Sequence, residues 1–184
     1  MTHRRVAAVV ACVVSAVAVL AAAADVKVTP VVIKGNVFAS FNASEHWTAN
    51  LREQLQTGQL VTFDYQAELR RPATLWPDAV LARTGIAVAA KFDTLIGGYQ
   101  VTRHRNGRVV RSERVSQETE VRDWLTIVDQ IQFDPESPLK INNEYYVLVQ
   151  LDITPRRDVS LLGVLVPGGG HDGSGRAEFT FIVR

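Results

Sequence analysis

The sequence predicts a mainly β protein, an antiparallel β-sandwich or curved sheet of about eight to ten strands with two short helices. Three observations support this fold class. Several stretches beyond residue 25 alternate apolar and polar residues, which is the pattern of half-buried strands. Asn106-Gly107, between extended flanks, is a strong signal for a tight hairpin. Helices and strands do not alternate in the rhythm that a parallel sheet requires.

The first 24 residues have the layout of a secretory signal peptide. Two arginines, Arg4 and Arg5, precede an uncharged apolar run, and small residues ending at Ala24 follow it. We expect cleavage after Ala24, which leaves residues 25–184 as a single β-rich exported domain, periplasmic or secreted. The run from Val6 to Ala24 is also long enough to span a bilayer, so a retained membrane anchor is the alternative.

Charge and cysteine content narrow the class of protein. The chain has 20 Lys and Arg against 19 Asp and Glu, and cleavage would remove two arginines. The net charge is therefore close to zero and provides no overall electrostatic attraction to nucleic acid. Cys12 is the only cysteine and lies in the signal segment, so we expect neither disulfide nor thiol chemistry in the exported domain. A lipoprotein anchor at Cys12 is disfavoured because the apolar run before it is short.

The N-terminal half predicts two strands, a helix and a long alternating strand. Residues 26–33 form the first strand, which Pro30 confines to a sheet edge, and residues 37–41 form the second. Ser44 should cap a helix that ends at Gly58, where a positive φ is favoured. Its apolar stripe has a spacing of four: Trp47, Leu51 and Leu55. The next strand should bury alternate residues: Val61, Phe63, Tyr65, Ala67 and Leu69.

The C-terminal half predicts further strands and a second helix. Residues 80–96 are extended, with a turn or bulge at Gly85, and the Asn106-Gly107 hairpin follows. Ser116 should cap a helix from Gln117 to Gln130. Three strands complete the chain, with a glycine-rich loop at residues 167–175 before the last: 145–153, 159–166 and 177–183.

Four local features occur in order between residues 26 and 152. They are Thr57-Gly58 with the strand after it, Arg70-Arg71 with Trp76-Pro77-Asp78, the run from Phe92-Asp93 through Leu95 to Tyr99, and the strand from Tyr145 to Asp152. In this order and spacing the chain resembles the DUF4390 family of uncharacterised bacterial exported proteins. The resemblance implies an exported, largely β domain, and it implies no catalytic residue.

Arg70, Arg71 and Trp76 are the best candidates for a recognition patch. In one interpretation the guanidinium groups and the indole form a cation–π patch or a ligand clamp, since arginine–aromatic clusters are also common at interfaces. In the other, which we favour, an arginine pairs with Asp78 while Trp76 fills the core.

The Asn106-Gly107 hairpin carries several arginines, among them Arg103, Arg105 and Arg108. These could bind a phosphate or an anionic polymer. We favour instead a solvated tip whose charges prevent edge-to-edge strand pairing. The glycine-rich loop with His171 and Asp172 lacks the Lys-Ser/Thr ending of a phosphate loop and has too few metal ligands, so we expect a flexible connection there.

The sequence predicts no catalytic, cofactor or metal site. It has no zinc-helix histidine pair, no Gly-x-Ser-x-Gly elbow and no cysteine outside the signal segment. We therefore predict a non-enzymatic binding or structural module of the bacterial envelope, whose partner is an unknown protein or envelope component. We expect no nucleic acid, and membrane contact only through the N-terminal segment if it is retained. The alternatives are a membrane-tethered accessory subunit of an envelope signalling or transport complex, and a hydrolase with dispersed catalytic residues.

Overall fold

A computed structural model describes residues 26–33, 35–156 and 173–183. The described elements are, in chain order, β1 (Lys27–Ile33), β2 (Asn36–Asn42), a 3-10 turn (Ser44–His46), α1 (Ala49–Gln56), β3 (Leu60–Arg71), β4 (Ala79–Asp93), β5 (Gly98–Arg105), β6 (Arg108–Val115), α2 (Glu118–Thr126), β7 (Ile127–Phe133), β8 (Glu144–Arg156) and β9 (Gly173–Ile182). The signal segment, the predicted strand at 159–166 and most of the glycine-rich loop lie outside the described residues.

The described strands form two antiparallel sheets, which confirms the mainly β class. One sheet has three strands in the order β1-β2-β7, and the other has six in the order β6-β5-β4-β3-β8-β9. Pro30 lies on β1, at the edge of the three-stranded sheet, as its missing N–H group predicts. Within the described part of the chain, no helix combines the length and the apolar character that crossing a bilayer requires.

The inner face of the six-stranded sheet forms one side of the hydrophobic core. The predicted alternation of β3 is confirmed, because its five inward residues from Val61 to Leu69 are at most 1% exposed. The neighbouring strand β8 adds a second apolar row: Tyr145, Val147, Val149, Leu151 and Ile153. Two long, fully buried rows side by side remove a large apolar area from water, which is the main force holding this sheet against its partners.

The three-stranded sheet and both helices cover this inner face. Phe41 of β2 lies against Tyr65 of β3, with 6.1 Å between ring centroids. Leu51 and Leu55 of α1 are buried in the same core, as the predicted stripe requires. α2 contributes Val121 and Leu125. A single hydrophobic core therefore joins both sheets and both helices.

Two turns have the predicted geometry. Gly58 follows α1 with a φ of +81°, a conformation that costs glycine little. Asn106 and Gly107 have φ values of +49° and +77°, as a two-residue hairpin with strand-matched twist requires. Asn106 also bonds to Gly85 on β4 through its N–H and its side-chain oxygen, each at 2.8 Å.

Two predicted local features are wrong. α1 is capped by Thr48, whose hydroxyl accepts from the Leu51 N–H at 3.3 Å, and not by Ser44, so Trp47 precedes the helix. β4 runs through Gly85 without a bulge, because Gly85 pairs in register with Gln66. The register of the β3–β4 pair shifts elsewhere, where Leu69 and Arg70 of β3 pair with Ala82 and Val80 of β4.

The second helix also differs from its prediction. It ends at Thr126, not Gln130, and Gln117 occupies the N-cap position predicted for Ser116. The chain then extends into β7, which pairs with β2. The physical reason lies in the six-stranded sheet, since side chains from β3 and β5 bond to the last carbonyls of α2 and end the helix there.

Candidate recognition loop

Residues 72–78 connect β3 to β4 and present two large apolar side chains to solvent. Leu75 is 88% exposed and Trp76 is 81% exposed. The interpretation in which Trp76 fills the core is therefore wrong. Sequence reasoning missed Leu75, although an apolar residue beside a tryptophan, between Pro72 and Pro77, was a visible signal.

The loop is fixed to the sheet through Asp78. One carboxylate oxygen accepts the Ala73 N–H at 3.0 Å, and the other accepts the Tyr146 hydroxyl of β8 at 2.5 Å. The Tyr146 hydrogen bond, followed by the Ala73 N–H, lowers the pKa of Asp78, while burial and the same carboxylate raise the pKa of Tyr146. Prolines at positions 72 and 77 restrict φ as well, so these hydrogen bonds and the two rings limit the conformations of the loop.

The arginines beside the loop have different surroundings. Arg70 bonds to Glu68, with its Nε 2.6 Å from Oε2, and Arg83 bonds to the other oxygen at 2.8 Å. A hydrogen bond with Tyr146, and then the bond with Glu68, raises the pKa of Arg70. Asp78 therefore bonds to Tyr146, and Arg70 bonds to Glu68. These two contacts take the place of the predicted pair between an arginine and Asp78. Arg71 is exposed, and among the described residues it has no ion-pair partner.

The structure therefore brings Arg70, Arg71 and Trp76 to one end of the six-stranded sheet. It does not form the predicted cation–π contact there. Among the described residues, the arginine–indole contacts are at Trp124, where the guanidinium carbons of Arg103 and Arg111 lie 5.0 and 4.7 Å from the ring centroid.

The hairpin arginines differ in burial. Arg103 and Arg105 are half-buried and face the three-stranded sheet and α2, so the solvated-tip interpretation is wrong for both of them. Arg103 donates to the carbonyls of Trp124 and Ile127 at 3.1 and 3.0 Å, and Arg105 donates to Gln132 at 2.7 Å.

The surroundings of Arg103 shift its pKa. Burial, followed by the nearby charge of Arg111, lowers the pKa of Arg103. Arg108 is exposed at the start of β6. Alternation from the buried Val101 could have placed Arg103 and Arg105 on the inner face. Anion binding by this hairpin stays an untested alternative, and two of the three arginines named for it, Arg103 and Arg105, are bonded to backbone carbonyls.

A depression of about 290 Å³ lies on the outer face of the six-stranded sheet, lined by Asp64, Gln66 and Gly85 among others. Its polar groups largely bond to each other: Gln66 donates to Asp64 at 2.9 Å, and Gly85 donates to Asn106. Burial raises the pKa of Asp64, a hydrogen bond from Gln66 opposes this rise, and the charge of Asp152 adds to it. Within the described residues, no group of three or more His, Cys, Asp and Glu side chains is arranged to hold a metal ion. His171 and Asp172 lie outside the described residues.

The fold and the loop together define a class: a two-sheet antiparallel module that presents a rigid apolar loop at one end of its larger sheet. A family model described as a domain of unknown function (DUF4390) matches residues 23–157. The match spans most of the chain, so the chain belongs to the DUF4390 family. Neither a curated protein nor a solved structure matches it. The matched residues include the loop at 72–78 and end just after β8, so that β9 follows the matched region.

Proposed function

We propose that this protein is an exported, non-enzymatic binding module of the bacterial envelope, and that it recognises its partner through the loop at residues 72–78. The observation that carries the proposal is the exposure of Leu75 and Trp76 on a loop that the sheet holds in place. The signal-peptide layout of the N-terminal segment supports export.

The energetics favour recognition at this loop. Full burial of a large apolar side chain is worth about 1.5–3 kcal/mol, so a partner that covers Leu75 and Trp76 gains a substantial free energy. The bonds of Asp78 to Ala73 and Tyr146 have already ordered the loop, and binding therefore loses little conformational entropy. Tryptophan and arginine are also the residues most often found at the energetic centres of interfaces.

The polar groups nearest the loop support a binding role over a catalytic one at this position. Asp78 is bonded to Tyr146, and Glu68 is bonded to Arg70 and Arg83. These groups therefore hold the loop and its base. A catalytic role would require such groups to be aimed at a substrate.

Photo-crosslinking in the producing cell tests the proposal. A photoreactive phenylalanine derivative replaces Thr74 in one variant and Thr94 in a matched control. The control lies in the β4–β5 loop, which also follows its threonine with exposed apolar residues, Leu95 and Ile96. We expect a defined adduct, protein or lipid, from position 74, and a yield about tenfold lower when Trp76→Ser is added. Equal adducts from positions 74 and 94 would show that the loop at 72–78 is not a recognition element.

A further inference from the structure

The apolar tip of the loop is convex. Residues 71–77 are all exposed, and Leu75 and Trp76 stand at the centre of this stretch. A protruding pair of side chains can be covered from all sides only by a deep pocket or by a fluid medium that flows around it. A bilayer is such a medium and needs no complementary shape.

The chemistry of the tip matches the boundary between lipid headgroups and acyl chains. Tryptophan is enriched at this level of membrane proteins because its ring is apolar and its N–H is polar. Leucine adds apolar area next to it, and Arg71 beside them can keep its charge at the headgroups while its stem lies along apolar surface.

The base of the loop carries more positive than negative charge. Arg70, Arg71 and Arg83 lie there with the carboxylates of Glu68 and Asp78, both of which accept hydrogen bonds from the protein itself. Glu144 begins β8 at the same end of the sheet, and the segment that leads into it carries Asp134, Glu136 and Lys140. The surplus cation is Arg71, which is exposed and close to the tip. Anionic headgroups attract such residues.

The β4–β5 loop shows what is special about this tip. It also presents an exposed apolar pair, with Leu95 97% exposed, but it has no tryptophan. A carboxylate supports its backbone, since Asp93 accepts the Leu95 N–H at 2.9 Å. Arg114 lines a depression together with Asp93, and Lys91 lies two residues before Asp93 on β4. The two loops lie at opposite ends of β4, so the exposed tryptophan distinguishes one end of the molecule from the other.

We infer that the loop at residues 72–78 inserts Leu75 and Trp76 into the interfacial region of a bilayer containing anionic lipids, with Arg71 at the lipid phosphates. This inference rests on the proposed function and names the partner of the same loop. It adds a membrane contact separate from the N-terminal segment. Insertion of two side chains is a weak anchor by itself, so the contact orients a protein that another interaction keeps near the membrane.

Quenching of tryptophan fluorescence by brominated lipids tests the inference on the full chain. The vesicles contain brominated phosphatidylcholine, with or without phosphatidylglycerol. The contribution of Trp76 is the difference between wild type and Trp76→Phe, since Trp47 and Trp124 are common to both. Any binding by the N-terminal segment is also common to both proteins and cancels in this difference.

On anionic vesicles we expect stronger quenching of wild type than of Trp76→Phe. Arg71→Gln should lower the ratio of inserted to withdrawn loop by about fivefold, and vesicles without phosphatidylglycerol should have a similar effect. Leu95→Ser, the matched control, should be quenched as wild type is. Equal quenching of wild type and Trp76→Phe would overturn the inference.

The two experiments separate the inference from the proposed function. A protein adduct at position 74 without quenching of Trp76 shows that the loop recognises a protein, which leaves the proposed function standing and overturns the lipid partner. Absence of both a specific adduct and Trp76 quenching overturns both. Quenching of Trp76 together with a lipid adduct supports both.

Discussion

Two aspartates, Asp78 and Asp64, show how the surroundings of a carboxylate shift its pKa. Asp78 is held by two donors, the Tyr146 hydroxyl and the Ala73 N–H, and its pKa falls. Asp64 lies on the outer face, directly across from Asp152 of β8. Burial raises its pKa, the hydrogen bond from Gln66 opposes the rise, and the charge of Asp152 adds to it. The first carboxylate therefore stabilises the fold when ionised, and the second destabilises it.

We predict that Asp64→Asn stabilises the protein at neutral pH. The pKa of Asp64 is raised above its ordinary value of 3.8, so ionisation costs more in the folded chain than in the unfolded one. The contribution of Asp64 to the unfolding free energy should be most favourable below pH 3.8 and should be lost as pH rises through the folded-state pKa. The variant lacks this loss, so urea unfolding should find it more stable at neutral pH and equal to wild type below pH 3.8.

The control is Glu178→Gln, at an exposed position on the same face of the sheet. Its stability should follow that of wild type at both pH values, because removal of an isolated surface charge has little effect. A neutral-pH loss of stability in Asp64→Asn would contradict the prediction. It would mean that the carboxylate makes a favourable contact that outweighs its burial.

At the scale of elements, the contact between α2 and the six-stranded sheet decides where the helix ends. Tyr65, fully buried on β3, donates its hydroxyl to the Leu125 carbonyl at 2.8 Å, and Arg103 of β5 reaches the carbonyls on either side of it. The last carbonyls of a helix have no partner within the helix. The sheet supplies these partners, and the chain then leaves the helix as β7.

We predict that Tyr65→Phe lowers the unfolding free energy by about 1–3 kcal/mol, because it keeps the ring but removes the donor from a buried carbonyl. Denaturant unfolding measures the change. Tyr145→Phe is the matched control: this tyrosine is equally buried, but its hydroxyl accepts from the N–H of Lys140, a residue in an exposed loop where water can replace it. The loss should be smaller there. An equal loss in both variants would show that the hydrogen bond from Tyr65 to Leu125 contributes no more to stability than the one between Lys140 and Tyr145.

At the scale of the whole molecule, Gly175 of β9 lies in close contact with the segment before β1 and with the 3-10 turn. A Cβ atom at this position would lie 2.7 Å from the His46 Nε2 and 2.9 Å from the Val26 Cγ2. Both distances are shorter than van der Waals contact, and Val26 is fully buried in the core. The absence of a side chain at Gly175 thus allows the segment before β1 to approach β9.

We predict that Gly175→Ala destabilises the protein by about 1–3 kcal/mol, because the added methyl group would overlap with His46 and Val26 and force them away from β9. Gly173→Ala is a closely matched control on the same strand and the same face. Its Cβ would meet Ile153 at 3.5 Å, an ordinary contact. Thermal unfolding should show a lower Tm for Gly175→Ala, and an unchanged or slightly higher one for Gly173→Ala. If both variants unfold at the same temperature, the close approach at Gly175 is not a constraint on sheet packing.

Local pattern predicted much of the β architecture. The alternation from Val61 to Leu69, the Asn106-Gly107 hairpin and the edge position of Pro30 all depend on neighbours within a few residues, and all three are confirmed. The end of α2 could not be predicted in this way. Val128 continues the helical spacing of Val121, Trp124 and Leu125, yet it lies in β7 because β2 pairs with that strand.

The candidate site was predicted in part. The sequence indicated Arg70, Arg71 and Trp76 as neighbours, since they lie close together along the chain. It did not indicate that the tryptophan would point to solvent. That depends on Tyr146, which is distant in sequence and is brought beside Asp78 by the pairing of β3 with β8.

The sequence by itself determined most of the described strands, the buried face of β3 and the turns at Gly58 and Asn106-Gly107, because side-chain alternation and backbone φ preferences act over a few residues. Tertiary structure alone decided where α2 ends, which arginines are bonded to backbone carbonyls and which way Trp76 faces. Each of these depends on hydrogen bonds between segments far apart in the chain: Tyr65 with Leu125, Arg103 with Trp124 and Ile127, and Tyr146 with Asp78. Such partners become neighbours only when the sheets have paired, so no local pattern contains them.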